Sequence, residues 1–159
     1  MSPTRHTQLY YSELIHETAA SADKPSCPSL YASLTRKELG VLGEDIAAAH
    51  LISQGMEIIE RNYRCSEGEA DIVAFDPADE LVVLVEVKTR RCIQQDEIYA
   101  EESVTAQKRR RYRRIAGCYM MEHYPIPAIR FDVIGVSITP DGTYDVHYIP
   151  QAFGWDAEI

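Results

Sequence analysis

No run of apolar residues in this sequence is long enough to cross a bilayer. The longest aliphatic stretch is Leu81-Val82-Val83-Leu84-Val85, and the opening residues hold no apolar block of the signal-peptide type. The four cysteines, Cys27, Cys65, Cys92 and Cys118, form no C-x-x-C pair, and the histidines do not cluster with them. That excludes a zinc site and a disulfide framework, leaving reduced thiols as the expectation. A cytoplasmic location with no membrane partner follows. The chain also lacks positive charge overall: its formal net charge is −9. A protein that coats nucleic acid through bulk charge is excluded, but a local cationic patch is not. No internal repeat is visible.

What is present is enough for one core. The chain has 159 residues, 45% of them hydrophobic, which suits a single domain and is too little for two. Residues 1–34 carry no sustained hydrophobic period and include Pro3, Pro25 and Pro28, so they read as a disordered extension, with at most a marginal helix over Leu9 to Thr18. Order should begin at Thr35. Thr35-Arg36-Lys37-Glu38 has the capping-box form, and Leu39, Leu42, Ile46 and Ala49 follow at helical spacing up to a stop at Gly55.

Three strands are expected next, over Glu57 to Arg64, Glu69 to Phe75 and Leu81 to Thr89, separated by two turn-forming segments. A second helix should start at Thr105 and end near His123, ahead of Pro125 and Pro127. Strands over Ile129 to Ser137 and Thr143 to Ile149 complete the domain, 35–150, with 151–159 as a tail. This order predicts an α/β fold, a mixed sheet flanked by helices.

The chemistry concentrates in Gly68-Glu69-Ala70-Asp71 and, one hairpin later, Val85-Glu86-Val87-Lys88. Side chains alternate along a strand, so Glu86 and Lys88 share a face. Charges at the end of an aliphatic strand are costly unless paired. A plain Glu86–Lys88 ion pair would answer that cost, but Asp71 sits where the hairpin can bring it alongside Glu86. Two converging carboxylates repel, and a hard divalent cation that also binds a substrate phosphate resolves the conflict. Lys88 could then orient an attacking water or neutralise charge developing on phosphoryl oxygens. The geometric requirement is a register that sets Asp71 opposite Glu86.

Glu44, at the margin of the first helix's apolar face, can reach the sheet as a fourth group or stand as a solvated helix-edge acid. The second helix opens with Lys108-Arg109-Arg110-Arg111-Tyr112-Arg113-Arg114, six cations with no acid among them. At 100° per residue, Tyr112, Ile115, Ala116 and Tyr119 form its buried stripe with Lys108 in line, while Arg110, Arg113 and Arg114 lie opposite. Such a ridge suits phosphate contacts, with Arg90 and Arg91 adding to it; the alternative is a solvated face. Asp132, in Arg130-Phe131-Asp132-Val133, reads as structural and paired with Arg130 or another nearby cation.

Gly43-Glu44, Asn62-Tyr63-Arg64, Gly68 to Ala74, Val85 to Arg90, Thr105-x-x-Lys108 and Arg130 to Val133, in this order, resemble the YraN family of bacterial proteins over about residues 36–150. That family is assigned to the PD-(D/E)xK nuclease superfamily. The resemblance implies a restriction-endonuclease-like αβββαβ core and a DNA endonuclease dependent on Mg²⁺ or Mn²⁺, with branched or recombining DNA as the substrate suggested by analogy with junction resolvases. It implies Asp71, Glu86 and the Val87 carbonyl as metal ligands, Lys88 beside the nucleophile, and Glu44 and Lys108 as the acidic and basic residues on the two helices. Attack by a metal-bound water, in line with the leaving group, is the implied mechanism. The residue before Asp71 is alanine where the superfamily name has proline. Two other functions fit the same fold: a nucleic-acid-binding module without turnover, and a protein-interaction domain using the arginines on acidic partners.

Overall fold

Thr35 opens a helix in the way its sequence context requires. Its hydroxyl accepts from the Glu38 N–H at 3.3 Å while the Glu38 carboxylate accepts from the Thr35 N–H at 2.7 Å, satisfying two amides that the first turn would otherwise leave unpaired. The structure, a computed structural model, describes residues 29–92, 104–126 and 128–156. Expectations placed on residues 1–28, including the helix over 9–18, lie outside the described residues.

In chain order the elements are α1 (Ser29–Ser33), α2 (Arg36–Ser53), β1 (Glu57–Cys65), β2 (Gly68–Asp76), β3 (Leu81–Arg91), α3 (Ala106–Glu122), β4 (Ile129–Ile138) and β5 (Tyr144–Phe153). One sheet holds the strands in the order β1-β2-β3-β4-β5. All neighbours are antiparallel except β3 and β4, which run parallel, as they must when α3 carries the chain across. Ile72, Val83, Val85, Ile134 and Val136 pack one face of the sheet against α2, and Val73, Leu84, Phe131 and Val133 pack the other against Tyr112, Ile115 and Tyr119 of α3. This is the α/β arrangement of a restriction-endonuclease-like core, with β5 and α1 added. Among the described residues no helix is long and apolar enough to cross a membrane.

Three differences from the sequence reading have physical causes. The domain begins before Thr35: α1 precedes it, Leu34 is buried, its carbonyl accepts from Arg91, and Tyr31 packs on the core and covers Gly142. An ordered element this short is invisible to periodicity. Along α2, Ala49 is exposed while Gly43, Ala47 and Leu51 are buried. Leu39, Leu42 and Ile46 allow the stripe to drift either way, and the sheet selects the side with Gly43, where a Cβ would overlap the Thr89 side chain.

The domain also ends later than residue 150. Pro150 argues against a strand interior, but β5 is an edge strand among the described residues, so a missing N–H on its outer side is tolerated. The strand continues to Phe153, which stacks on Phe131 at 4.9 Å, and the Trp155 indole donates to the Ile129 carbonyl at 3.0 Å.

Asp132 is structural, as expected, and more deeply so. It is fully buried, accepts from Arg130, from Tyr148 and from the Gln151 N–H, and Arg130 also binds Asp76 at 2.9 Å.

Candidate active site

The β2–β3 ladder runs from Asp76 opposite Leu81 to Ile72 opposite Val85. Continuing that register sets Asp71 directly across from Glu86, on one face, as the metal-site reading required. There the two strands part. The Val87 N–H donates to the Asp71 carboxylate at 2.7 Å, whereas β3 stays paired with β4 as far as Arg91 opposite Ile138. Asp71 thus takes the place of a backbone acceptor at the fork, and its carboxylate and that of Glu86 meet where the sheet divides.

Glu86 is 4% exposed, and one of its oxygens is shared by two ammonium groups, Lys88 at 2.8 Å and Lys108 from the first turn of α3. Burial alone would push the Glu86 carboxyl up; the hydrogen bonds from Lys108 and Lys88 outweigh it and hold the group below its ordinary value. Asp71 goes the other way. Burial, then the charge of Glu86, push it up to about 7, with Glu44 adding to the effect and the Val87 N–H and Lys108 offsetting part of it. The two carboxylates therefore share too little positive charge, and Glu86 takes most of what there is.

The Tyr112 hydroxyl completes the wall. The side chain is 1% exposed, and its oxygen has no well-oriented hydrogen bond among the described residues, although it lies close enough to Glu86 and Asp71 for burial and both charges to raise its pKa well above the usual phenol value. Sequence reasoning assigned Tyr112 only to the buried stripe. Its position four residues after Lys108 was the available signal, since that spacing puts both side chains on one helix face.

Glu44 approaches from the α2 side. It accepts from Asn62 at 3.2 Å, lies 3.7 Å from the Arg61 guanidinium, and is raised chiefly by burial. It is near enough for Asp71 to feel its charge, but it touches Asn62 and Arg61 rather than the Asp71–Glu86 pair.

The expected arginines do not form one ridge. Arg90 is exposed and shares the Glu86 and Lys88 face by alternation, whereas Arg91 turns to the Leu34 carbonyl on the α2 side. Arg111 lies over Gly68, where a Cβ would collide with its guanidinium, and Arg114 pairs with Glu67 at 2.8 Å. Arg113 does not stand in solvent opposite the core, as the helical wheel placed it: its Nε donates to the Gly154 carbonyl at 2.8 Å because β5 extends far enough to meet it. Arg109 is half-buried and Arg110 exposed.

Among the described residues no three His, Cys, Asp or Glu side chains cluster closely enough to hold a metal ion by themselves. A hard divalent cation that keeps several waters needs only one or two carboxylates and an oxygen or two more. Asp71 and Glu86, with the backbone carbonyl of Val87, would provide such a set, and the repulsion that raises the Asp71 carboxyl is what such an ion would relieve. The donor set fits the group.

A family model described as "Uncharacterised protein family UPF0102" matches residues 43–136, a span containing every residue of this site. A UPF0102 protein of Mycobacterium sp. (strain KMS) is 46% identical over 118 residues, covering 72% of this chain and 84% of its own. One from Mycolicibacterium smegmatis is 46% identical over 109 residues, covering 67% and 85%, and one from Mycobacterium tuberculosis (strain ATCC 25177 / H37Ra) is 42% identical over 111 residues, covering 68% and 84%. None of these names states an activity.

Proposed function

Since the chain belongs to the UPF0102 family, the YraN family of bacterial proteins, we propose that it is a metal-dependent endonuclease that hydrolyses DNA phosphodiester bonds in the cytoplasm. The observation that carries this reading is the hairpin register, Ile72 opposite Val85, which continued by one residue brings Asp71 to the face of Glu86 and Lys88 where the sheet divides.

Asp71, Glu86 and the Val87 carbonyl would hold Mg²⁺ or Mn²⁺. Such an ion supplies a Lewis acid for the phosphodiester and makes water more acidic. The chain's own groups do the rest. Lys88, fixed by Glu86 at 2.8 Å, orients the attacking water and stabilises negative charge on the phosphoryl oxygens. Lys108 is a second ammonium at the same carboxylate, free to pass to a phosphate when another cation neutralises Glu86. Tyr112 excludes solvent and presents a hydroxyl to the same point. Glu44, at the rim and raised by burial, is placed to hold a proton. Arg90, Arg110 and Arg111 would grip the phosphates on either side, a role suited to guanidinium forks.

A second reading has its own support. The two lysines already neutralise Glu86, so the fold does not require a metal, and the domain could bind nucleic acid without turnover. A panel of linear, single-stranded and four-way-junction DNAs with each metal separates the two. Cleavage that EDTA stops supports the nuclease; retention of DNA with no product in either metal favours the binding module.

A further inference from the structure

Away from the carboxylates, two sulfur atoms face each other. β1 and α3 lie side by side in opposite directions. At one end the Tyr63 hydroxyl donates to Glu122 at 2.8 Å and its ring meets Tyr119 edge-on at 5.0 Å; at the other, Glu67 pairs with Arg114 at 2.8 Å. These contacts bracket one position on each element. Cys65 lies midway between Tyr63 and Glu67, on the side of the strand that Tyr63 presents to the helix. Cys118 lies four residues after Arg114 and four before Glu122, on the same helical stripe as both. The thiols of Cys65 and Cys118 are therefore neighbours. Consistently, a hydrogen bond with Cys65 is the main reason the Cys118 thiol holds its proton more tightly than usual. Both are half-buried and both are reduced.

We propose that Cys65 and Cys118 form a site of reversible oxidation that takes a two-electron oxidant of the peroxide class and closes to a disulfide. One sulfur, as thiolate, attacks an oxygen of the peroxide, breaks the O–O bond and becomes a sulfenic acid, releasing hydroxide. The second thiolate attacks that sulfur and displaces a second hydroxide. The two hydroxides take up the two thiol protons, so two thiols and one hydrogen peroxide give one disulfide and two waters. The bond would tie the β1–β2 turn, which leads into Asp71, to the helix that carries Lys108 and Tyr112. The inference rests on the thiol geometry and stands whether or not the site cleaves DNA.

The test uses the full reduced chain, treated with a slight molar excess of hydrogen peroxide, quenched, alkylated under denaturing conditions and peptide-mapped by mass spectrometry. The expected product is a peptide pair linked through Cys65 and Cys118, two hydrogens lighter, that disappears on reduction. The oxidised protein should melt roughly 5–10 °C higher than the reduced one, as a bond closing so long a loop would give. In C65S and in C118S both the linked pair and the shift should vanish. The wild-type map suffices if either variant folds poorly. Sulfinic or sulfonic acid at Cys65 or Cys118 without a link, or a link from either to Cys27 or Cys92, would overturn the proposal.

Discussion

Replacing Asp71 with asparagine should make the metal-free protein more stable. The Asp71 carboxyl is pushed from its ordinary 3.8 up to about 7, first by burial and then by Glu86. An acid whose folded pKa lies above its unfolded value binds a proton more tightly when folded, so stability is highest below pH 4. It is lost progressively as the pH rises to about 7, and the full penalty applies above that. That displacement corresponds to roughly 4 kcal/mol against the ionised form. Asparagine keeps an acceptor for the Val87 N–H but leaves a buried amide group to be satisfied, so the net gain at pH 8 should be about 1–3 kcal/mol. Urea unfolding in EDTA at pH 8 and pH 4.5 measures it. Asp71→Asn should exceed the wild type at pH 8, and the gap should close at pH 4.5. Adding Mn²⁺ should stabilise the wild type and leave the variant unchanged. A variant weaker than the wild type at pH 8, with the same pH slope, would refute the idea that the carboxylates are in conflict.

Other perturbations test the surrounding structure. Gly117→Ala, in an open part of α3, should add about 1 kcal/mol in a thermal melt, whereas Gly43→Ala, whose Cβ would overlap Thr89, should cost about 1–3 kcal/mol despite the better helix propensity of alanine. Asp132→Ala strips the buried partner of Arg130 and Tyr148 and should cost about 3–5 kcal/mol by urea unfolding; a loss under 1 kcal/mol would mean the network is dispensable. Tyr112→Phe removes a hydroxyl without a well-oriented partner and should leave the melting temperature unchanged or raise it; a loss of more than about 1 kcal/mol would show that the hydroxyl is hydrogen-bonded. If Arg110 contacts the DNA backbone, Arg110→Glu should make the slope of log affinity against log salt shallower by about 1, with no change of fold by circular dichroism.

Much of the scaffold was legible because its signals are local. Thr35 and Glu38 specify a helix start, Gly55 its end, and the aliphatic run of residues 81–85 a buried strand. The pleat alone requires a β2–β3 register that brings Asp71 and Glu86 to one face, and Ile72 opposite Val85 has that parity. What was hidden depends on partners distant in sequence. Pro150 signals a stop unless β5 is known to be an edge; Ala49 and Ala47 are equivalent until the sheet chooses between them; Arg113 looks solvated until β5 arrives beneath it. Tyr112 was placed in the core, but its hydroxyl acquires meaning only beside Glu86, and Cys65 and Cys118, far apart in the chain, become a pair only when α3 lies along β1. Site geometry was therefore readable where its residues share a hairpin and obscure where they meet across elements.

The most direct test of the central claim is cleavage of end-labelled four-way-junction and linear duplex DNA by purified wild type, Asp71→Ala, Glu86→Ala and Lys88→Ala, each with Mg²⁺, with Mn²⁺ and with EDTA. The wild type should cut in metal and not in EDTA. The two carboxylate variants should yield no product, and Lys88→Ala should be slower by about 10² or more, all three still binding DNA. A wild type that cuts nothing in either metal, or carboxylate variants that cut as fast as it does, would contradict the assignment of phosphodiester hydrolysis to this fork in the sheet.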